Sequence, residues 1–142
     1  AGIRPGSTVC VIGGGAIGLL MVQLARLSGA AKVILSEPVE LRRSAGLSVE
    51  RIWLSTRSGG LSARVREAAG KSGADVVIEC VGNTAATRSA FEAAGSGATV
   101  LLFSVPAPTA TVPLPLFDVY KKELAIRGSF INRIRIFGLW NC

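Results

Sequence analysis

Six residues near the start of the chain, Gly13-Gly14-Gly15-Ala16-Ile17-Gly18, match the spacing G-x-G-x-x-G. They follow a short apolar, β-branched run and open a stretch of helical periodicity, and that context gives the glycines distinct physical tasks. Gly13 permits a tight turn, Gly15 lets backbone come close to a pyrophosphate, and Gly18 lets the helix pack near the preceding strand. The helix N-terminus then presents unpaired N–H groups and the positive end of its dipole to an anion. Glu37 lies 19 residues after Gly18, at the end of the next apolar run. A carboxylate there can accept both hydroxyls of an adenine ribose and would repel a 2′-phosphate, so the pattern favours NAD over NADP. Arg42 and Arg43 stand close enough in sequence to soften that repulsion.

The 142 residues include no histidine. The chain therefore lacks the commonest metal ligand and the commonest general acid or base near neutral pH. Its three cysteines, at positions 10, 80 and 142, have neither paired secretory spacing nor metal-ligand spacing, which points to a reducing compartment and to the cytoplasm. Cys10 and Cys80 read as small buried strand residues. No catalytic residue and no metal ligand is expected within the chain.

The elements that must position the glycine loop follow from periodicity. Thr8 to Ile12 reads as a buried parallel strand. The helix from about Ala16 to Leu27 carries Ile17, Leu20, Met21, Leu24 and Leu27 as its apolar stripe and stops at Ser28-Gly29. Lys32 to Ser36 is a second strand, followed by a short helix begun by Pro38 and running through Arg42-Arg43. Arg51 to Leu54 reads as a third strand, Leu61 to Ala69 as an exposed helix closed by Gly70, and Ala74 to Cys80 as a fourth strand. Asn83 can cap a helix to about Ala94, with strands at Ala98 to Phe103 and Glu123 to Arg127. The stretch from Pro106 to Pro115 reads as a loop plus an edge strand. Strands alternating with helices at this spacing give an α/β fold, a doubly wound parallel sheet of the Rossmann type, in a single domain. Its length suffices for a core without disulfide staples.

Charge and hydropathy narrow the classes further. Sixteen basic residues against nine acidic ones give a net charge of +7, but they are spread along the chain without the aromatic interleaving that stacks bases, so nucleic acid is not an expected partner. Two long uncharged windows, Pro5 to Ala25 and Ala93 to Phe117, contain a glycine triplet and four prolines respectively, which disqualifies both as membrane spans. The chain opens on Ala1 without a signal segment and is expected to begin inside a longer protein.

Several separated stretches carry a more specific resemblance. They are Pro5-Gly6-Ser7-Thr8-Val9 leading into the glycine loop, Ser36-Glu37-Pro38, Asp75-Val-Val-Ile-Glu-Cys-Val-Gly82, and Arg127-Gly-Ser-Phe-Ile-Asn132. Here the chain resembles the zinc-type medium-chain dehydrogenase/reductase (alcohol dehydrogenase) family, especially its sorbitol, butanediol and threonine dehydrogenase branch. The resemblance covers nearly the whole chain and implies a cofactor-binding domain at residues 1–132, followed by an atypical tail at 133–142. It implies that the Ala16 and Ile17 amides meet the pyrophosphate and that Ile17 packs behind the nicotinamide. Glu37 would hold the adenine ribose with Arg42 as a basic partner. The segments around Cys80 and Val81, Phe103 to Val105, and Ser129 to Ile131 would line the cofactor, the last two through backbone groups that orient the carboxamide. The implied reaction is hydride transfer from a secondary alcohol or polyol, a small-molecule substrate, to NAD. The catalytic zinc and its ligands would belong to a separate substrate domain, so this chain alone would bind NAD without turnover.

The chain also departs from that family. Leu47-Ser48-Val49-Glu50 replaces its usual Gly-Ala-acid turn, Ser104 stands where a glycine is common and could crowd the nicotinamide end, and Arg133 to Cys142 is unlike its return helix. Arg133 and Arg135 read as part of a solvated tail. The alternatives are a nucleotide-binding sensor module without catalysis, a zinc-free quinone reductase using NADPH, which Glu37 opposes, and a methyltransferase, which Gly18 and the similarity after Gly82 oppose. A homo-oligomer is expected, with Thr111, Val112, Leu114 and Leu116 as an exposed pairing edge.

Overall fold

The computed structural model describes residues 2–39, 41–42, 52–54 and 60–130. In chain order the elements are β1 (Thr8–Ile12), α1 (Ala16–Leu27), β2 (Lys32–Ser36), β3 (Ile52–Leu54), α2 (Leu61–Ala69), β4 (Ala74–Glu79), α3 (Thr84–Ala93), β5 (Ala94–Leu102), α4 (Leu116–Lys122) and β6 (Ala125–Gly128). The strands form one sheet in the order β3-β2-β1-β4-β5-β6, and every pair is parallel. This is the doubly wound Rossmann arrangement, in which the winding reverses between β1 and β4 and leaves a crevice above their carboxyl ends.

The strands read as continuous apolar runs because both faces of the sheet are covered. All five residues of β1 are buried. Val9 and Val11 face the core under α1, with Val33, Leu35, Val76 and Ile78. Cys10 and Ile12 face the opposite core, where Ile34, Val77 and Val100 meet Val65 of α2 and Phe91 of α3. This is the two-residue alternation of a strand, and each buried Val, Leu or Ile contributes about 1.5–3 kcal/mol.

Helix ends follow the local chemistry. Gly70 closes α2 in the left-handed conformation, at φ +69°. The Asn83 side chain accepts the Ala86 N–H at 2.8 Å and so caps α3. At the amino ends of the strands, the Asp75 carboxylate accepts the Thr8 N–H at 2.8 Å and pairs with Lys71 at 2.6 Å, tying β4 to β1. Burial works to raise the Asp75 carboxyl, but the Lys71 hydrogen bond, the Thr8 N–H and the Lys71 charge outweigh it and hold the group below its ordinary value.

Four expectations are corrected. The buried residues of α1 are Gly18, Val22 and Ala25, with Leu19 and the expected Met21 packed against the same core, whereas Ile17, Leu20, Leu24 and Leu27 are exposed; the close approach of Gly18 to the Gly13 carbonyl helps set this face. β5 starts directly from α3 at Ala94, four residues earlier than expected, with an irregularity in its pairing to β4 between Ala74 and Val76. The segment from Pro106 to Pro115 forms no strand, and β6 is the edge instead. Leu116–Lys122 is a helix that periodicity did not indicate, being only 7 residues long and burying none of them. The third strand spans Ile52–Leu54 and the fourth ends at Glu79. The expected helix after β2 is described only at residues 41 and 42; Arg43, the departure at Ser44 to Arg51, and everything from Ile131 to Cys142 lie outside the described residues. No described helix is long and apolar enough to cross a membrane.

Candidate functional site

The carboxyl ends of the central strands are brought into line by backbone bonds that outlast the strands themselves. Gly13 N–H donates to the Ser36 carbonyl at 2.9 Å, Cys80 N–H to Ile12 at 2.9 Å, Phe103 N–H to Glu79 at 3.0 Å and Ser129 N–H to Leu102 at 3.0 Å. Each donor is a sequence-predicted site residue immediately after a strand. Parallel pairing therefore sets Gly13, Cys80, Phe103 and Ser129 along one edge of the sheet.

The glycine loop is built around three different contacts. A Cβ on Gly18 would lie 1.8 Å from the Gly13 carbonyl oxygen, which no side chain can tolerate. Gly13 has φ +98°, and a Cβ there would approach Val81 Cγ2 to 2.8 Å. At Gly15 a Cβ would meet nothing within 4 Å, so protein packing leaves the space above this glycine open. Gly15 is also the N-cap of α1; it makes no side-chain cap bond and no acidic residue occupies the first turn. Ala16 and Ile17 are exposed at that helix start, where the amides have no intrahelical partner.

Glu37 faces this loop although it is only 3% exposed. Its Oε2 accepts the Gly14 N–H at 2.7 Å and its Oε1 accepts the Val39 N–H at 2.8 Å. Arg42 Nη1 lies 4.0 Å from Oε2. These two backbone bonds fix the orientation of the Glu37 carboxylate beside the glycine loop. Gly14 is part of the same arrangement: a Cβ there would sit 2.9 Å from Glu37 Cγ. Sequence reading treated Gly14 as a free position of the motif, because its constraint comes from a side chain 23 residues away.

Gly13, Gly15, Glu37, Arg42, Cys80 and Val81 line one cleft of about 480 Å³, together with Asn83 at the start of α3 and Leu61 at the start of α2. That is an ordinary size for a small-molecule site. Phe103, Val105 and Ser129 lie beyond its lining, at the ends of β5 and β6, and Ile131 is outside the described residues. Burial, and then the Glu79 charge, push the Cys80 thiol up to about 12, while burial alone does the same to Cys10. Both remain thiols at neutral pH and neither is a ready metal ligand.

An open glycine, an uncapped helix start and a buried acid at the next strand suit a dinucleotide. A family model described as zinc-binding dehydrogenase matches residues 16–140. The chain belongs to the zinc-binding dehydrogenase family. Among the relatives of this family, the geraniol dehydrogenase of Castellaniella defragrans is 33% identical over 128 residues, covering 89% of this chain and 34% of its own length. The L-threonine 3-dehydrogenase of Bacillus licheniformis is 30% identical over 98% of this chain and 40% of its own. The chain thus spans little more than a third of such relatives. A candidate zinc-binding dehydrogenase from Sinorhizobium meliloti 1021, solved bound to NADP, superposes with a TM-score of 0.87 at 38% identity, covering 93% of this chain and 40% of that one. The alcohol dehydrogenase TADH from Thermus sp. ATN1 gives 0.88 at 29% identity, covering 96% and 40%.

The sequence has no histidine, and the described residues contain no group of three or more His, Cys, Asp or Glu side chains able to hold a metal ion.

Proposed function

We propose that residues 1–132 are the NAD-binding domain of a zinc-dependent alcohol or polyol dehydrogenase, with residues 133–142 as a tail and the catalytic zinc held outside this chain. A bound nicotinamide cofactor supplies the hydride chemistry; the residues of this chain bind and orient it. Gly15 and the amides of Ala16 and Ile17 receive the pyrophosphate, with Gly13 and Gly18 shaping the turn. Ile17 packs behind the nicotinamide, and Cys80, Val81, Phe103, Val105, Ser129 and Ile131 line the route of the cofactor. No residue of the chain acts on the substrate directly, so the chain alone binds without turnover.

The observation that carries this reading is the buried Glu37 carboxylate, fixed by two backbone N–H groups beside the glycine loop. It suits the two hydroxyls of an adenine ribose and opposes a 2′-phosphate. A second reading, NADP, draws support from the NADP-bound Sinorhizobium relative and from Arg42 near Glu37. Calorimetric titration with both nucleotides separates them. NAD is expected to bind the parent chain at least about tenfold more tightly than NADP. In Glu37→Ala, loss of hydrogen bonds to a charged group should weaken NAD by about tenfold or more, with NADP unchanged or improved. Tighter NADP binding by the parent chain would favour the second reading.

A cytoplasmic, homo-oligomeric protein belongs to the same proposal. Free Cys10 and Cys80 suit a reducing compartment; of the four residues expected at a pairing edge, exposed Leu114 and Leu116 suit a subunit contact, while Val112 packs against the core and the segment is not a strand.

A further inference from the structure

Glu79, the last residue of β4, is 1% exposed and is absent from the lining of the cleft. A buried carboxylate needs hydrogen-bond donors, and this one has three. Its Oε1 accepts the Val81 N–H at 2.7 Å and the Gly82 N–H at 2.9 Å. Its Oε2 accepts the hydroxyl of Ser104, two residues beyond the end of β5. The backbone ladder between these strands ends with Phe103 N–H on the Glu79 carbonyl. The Ser104 hydroxyl therefore carries the β4–β5 connection one residue further, by side chains, just where both strands run out.

The two segments so joined are in close contact. Gly82 has φ +86°, and a Cβ there would lie 3.1 Å from the Val105 carbonyl oxygen and 3.3 Å from Ser104 Cβ. On the other side, Val81 abuts Gly13 of the glycine loop. The Ser104 hydroxyl thus turns toward Glu79.

We propose that Glu79 and Ser104 are positioning residues whose hydrogen bond clasps the segment after β5 to the turn after β4, shaping the half of the crevice that receives the second nucleoside of the cofactor. The proposal rests on the cofactor reading above. With the adenine ribose at Glu37 on β2 and the phosphates at the β1 loop, the remainder of a dinucleotide must cross the switch point and lie over β4, β5 and β6. Replacing Ser104 by Ala removes only the Oε2 partner and leaves the Val81 and Gly82 bonds in place.

The test compares NAD with ADP, which carries the adenosine and both phosphates but no second nucleoside. Both are titrated into the 142-residue chain, Ser104→Ala and Ser104→Thr, with the melting temperature of each followed in parallel. NAD is expected to bind Ser104→Ala about fivefold to tenfold more weakly, with ADP unchanged and Ser104→Thr, which keeps the hydroxyl, close to the parent chain. Unchanged NAD affinity in Ser104→Ala would overturn the clasp, as would a fall in NAD and ADP together. Failure of Ser104→Thr to restore NAD binding would equally deny the hydroxyl its role. If the parent chain binds neither nucleotide, the cofactor reading fails and takes this inference with it.

Discussion

Substituting the glycines of the loop one at a time separates packing from ligand binding. Gly18→Ala drives a methyl group into the Gly13 carbonyl oxygen, 1.8 Å away, and is expected to lower stability by about 1–3 kcal/mol or more in denaturant unfolding. Gly15→Ala meets nothing within 4 Å, and its φ of −71° suits any L residue. Its stability should stay within about 0.5 kcal/mol of the parent, while a dinucleotide approaching that backbone loses about 1–3 kcal/mol of binding. Equal stability with undiminished dinucleotide binding in Gly15→Ala would deny the close approach. The tight turn at Gly13 and the close helix packing at Gly18 were legible because each has a task set by local geometry and a known spacing. Gly14 and Glu79 were not, since their reasons lie in side chains far along the chain: Glu37 packs on Gly14, and Ser104 reaches Glu79 from 25 residues away. A lone acid inside the apolar run Val76-Val77-Ile78-Glu79 was the available signal, because a charge in a buried strand requires dedicated donors.

Element boundaries in the first half of the domain were legible to the residue where turn chemistry was strong. Ser28-Gly29 ended α1, Gly70 closed α2 and Asn83 began α3. Which face of α1 turns inward was not legible, because apolar periodicity marked the Leu20, Leu24 and Leu27 side as buried, whereas Gly18, Val22 and Ala25 are the buried residues and the close approach of Gly18 to the Gly13 carbonyl helps set this face. The early start of β5 escaped notice for a related reason: Gly95, Ser96 and Gly97 resemble a loop, yet Gly73 and Gly95 allow two backbones to pass closer than a Cβ would permit. The pairing of β4 with β1 makes its own prediction. Asp75 is held below its ordinary value of 3.8, so its contribution is present above that pH and is lost as pH falls through the lower folded-state value. Thermal melts below about pH 4 should show the parent chain losing stability more steeply than Asp75→Asn, while near neutral pH the parent should be the more stable of the two. Parallel pH profiles would contradict the link between Asp75, Lys71 and Thr8.

At the scale of the whole molecule, a six-stranded parallel sheet wound in opposite directions from β1 and β4 creates one crevice. The parallel, doubly wound character of the sheet, though not its strand order, was readable from pattern alone, because a sheet buried on both faces demands continuous apolar strands. The family membership agrees with it across residues 16–140. Occupancy of the crevice is therefore the central claim, and amide chemical-shift mapping of the isotope-labelled chain during titration with NAD addresses it most directly. The account predicts saturable shifts concentrated at Gly13, Gly14, Gly15, Ala16 and Ile17, with further shifts at Glu37, Val39 and Val81. Shifts absent from the glycine loop, or confined to the polar hollow formed by Arg4, Ser7, Thr99 and Arg127 at the opposite end of the sheet, would contradict it.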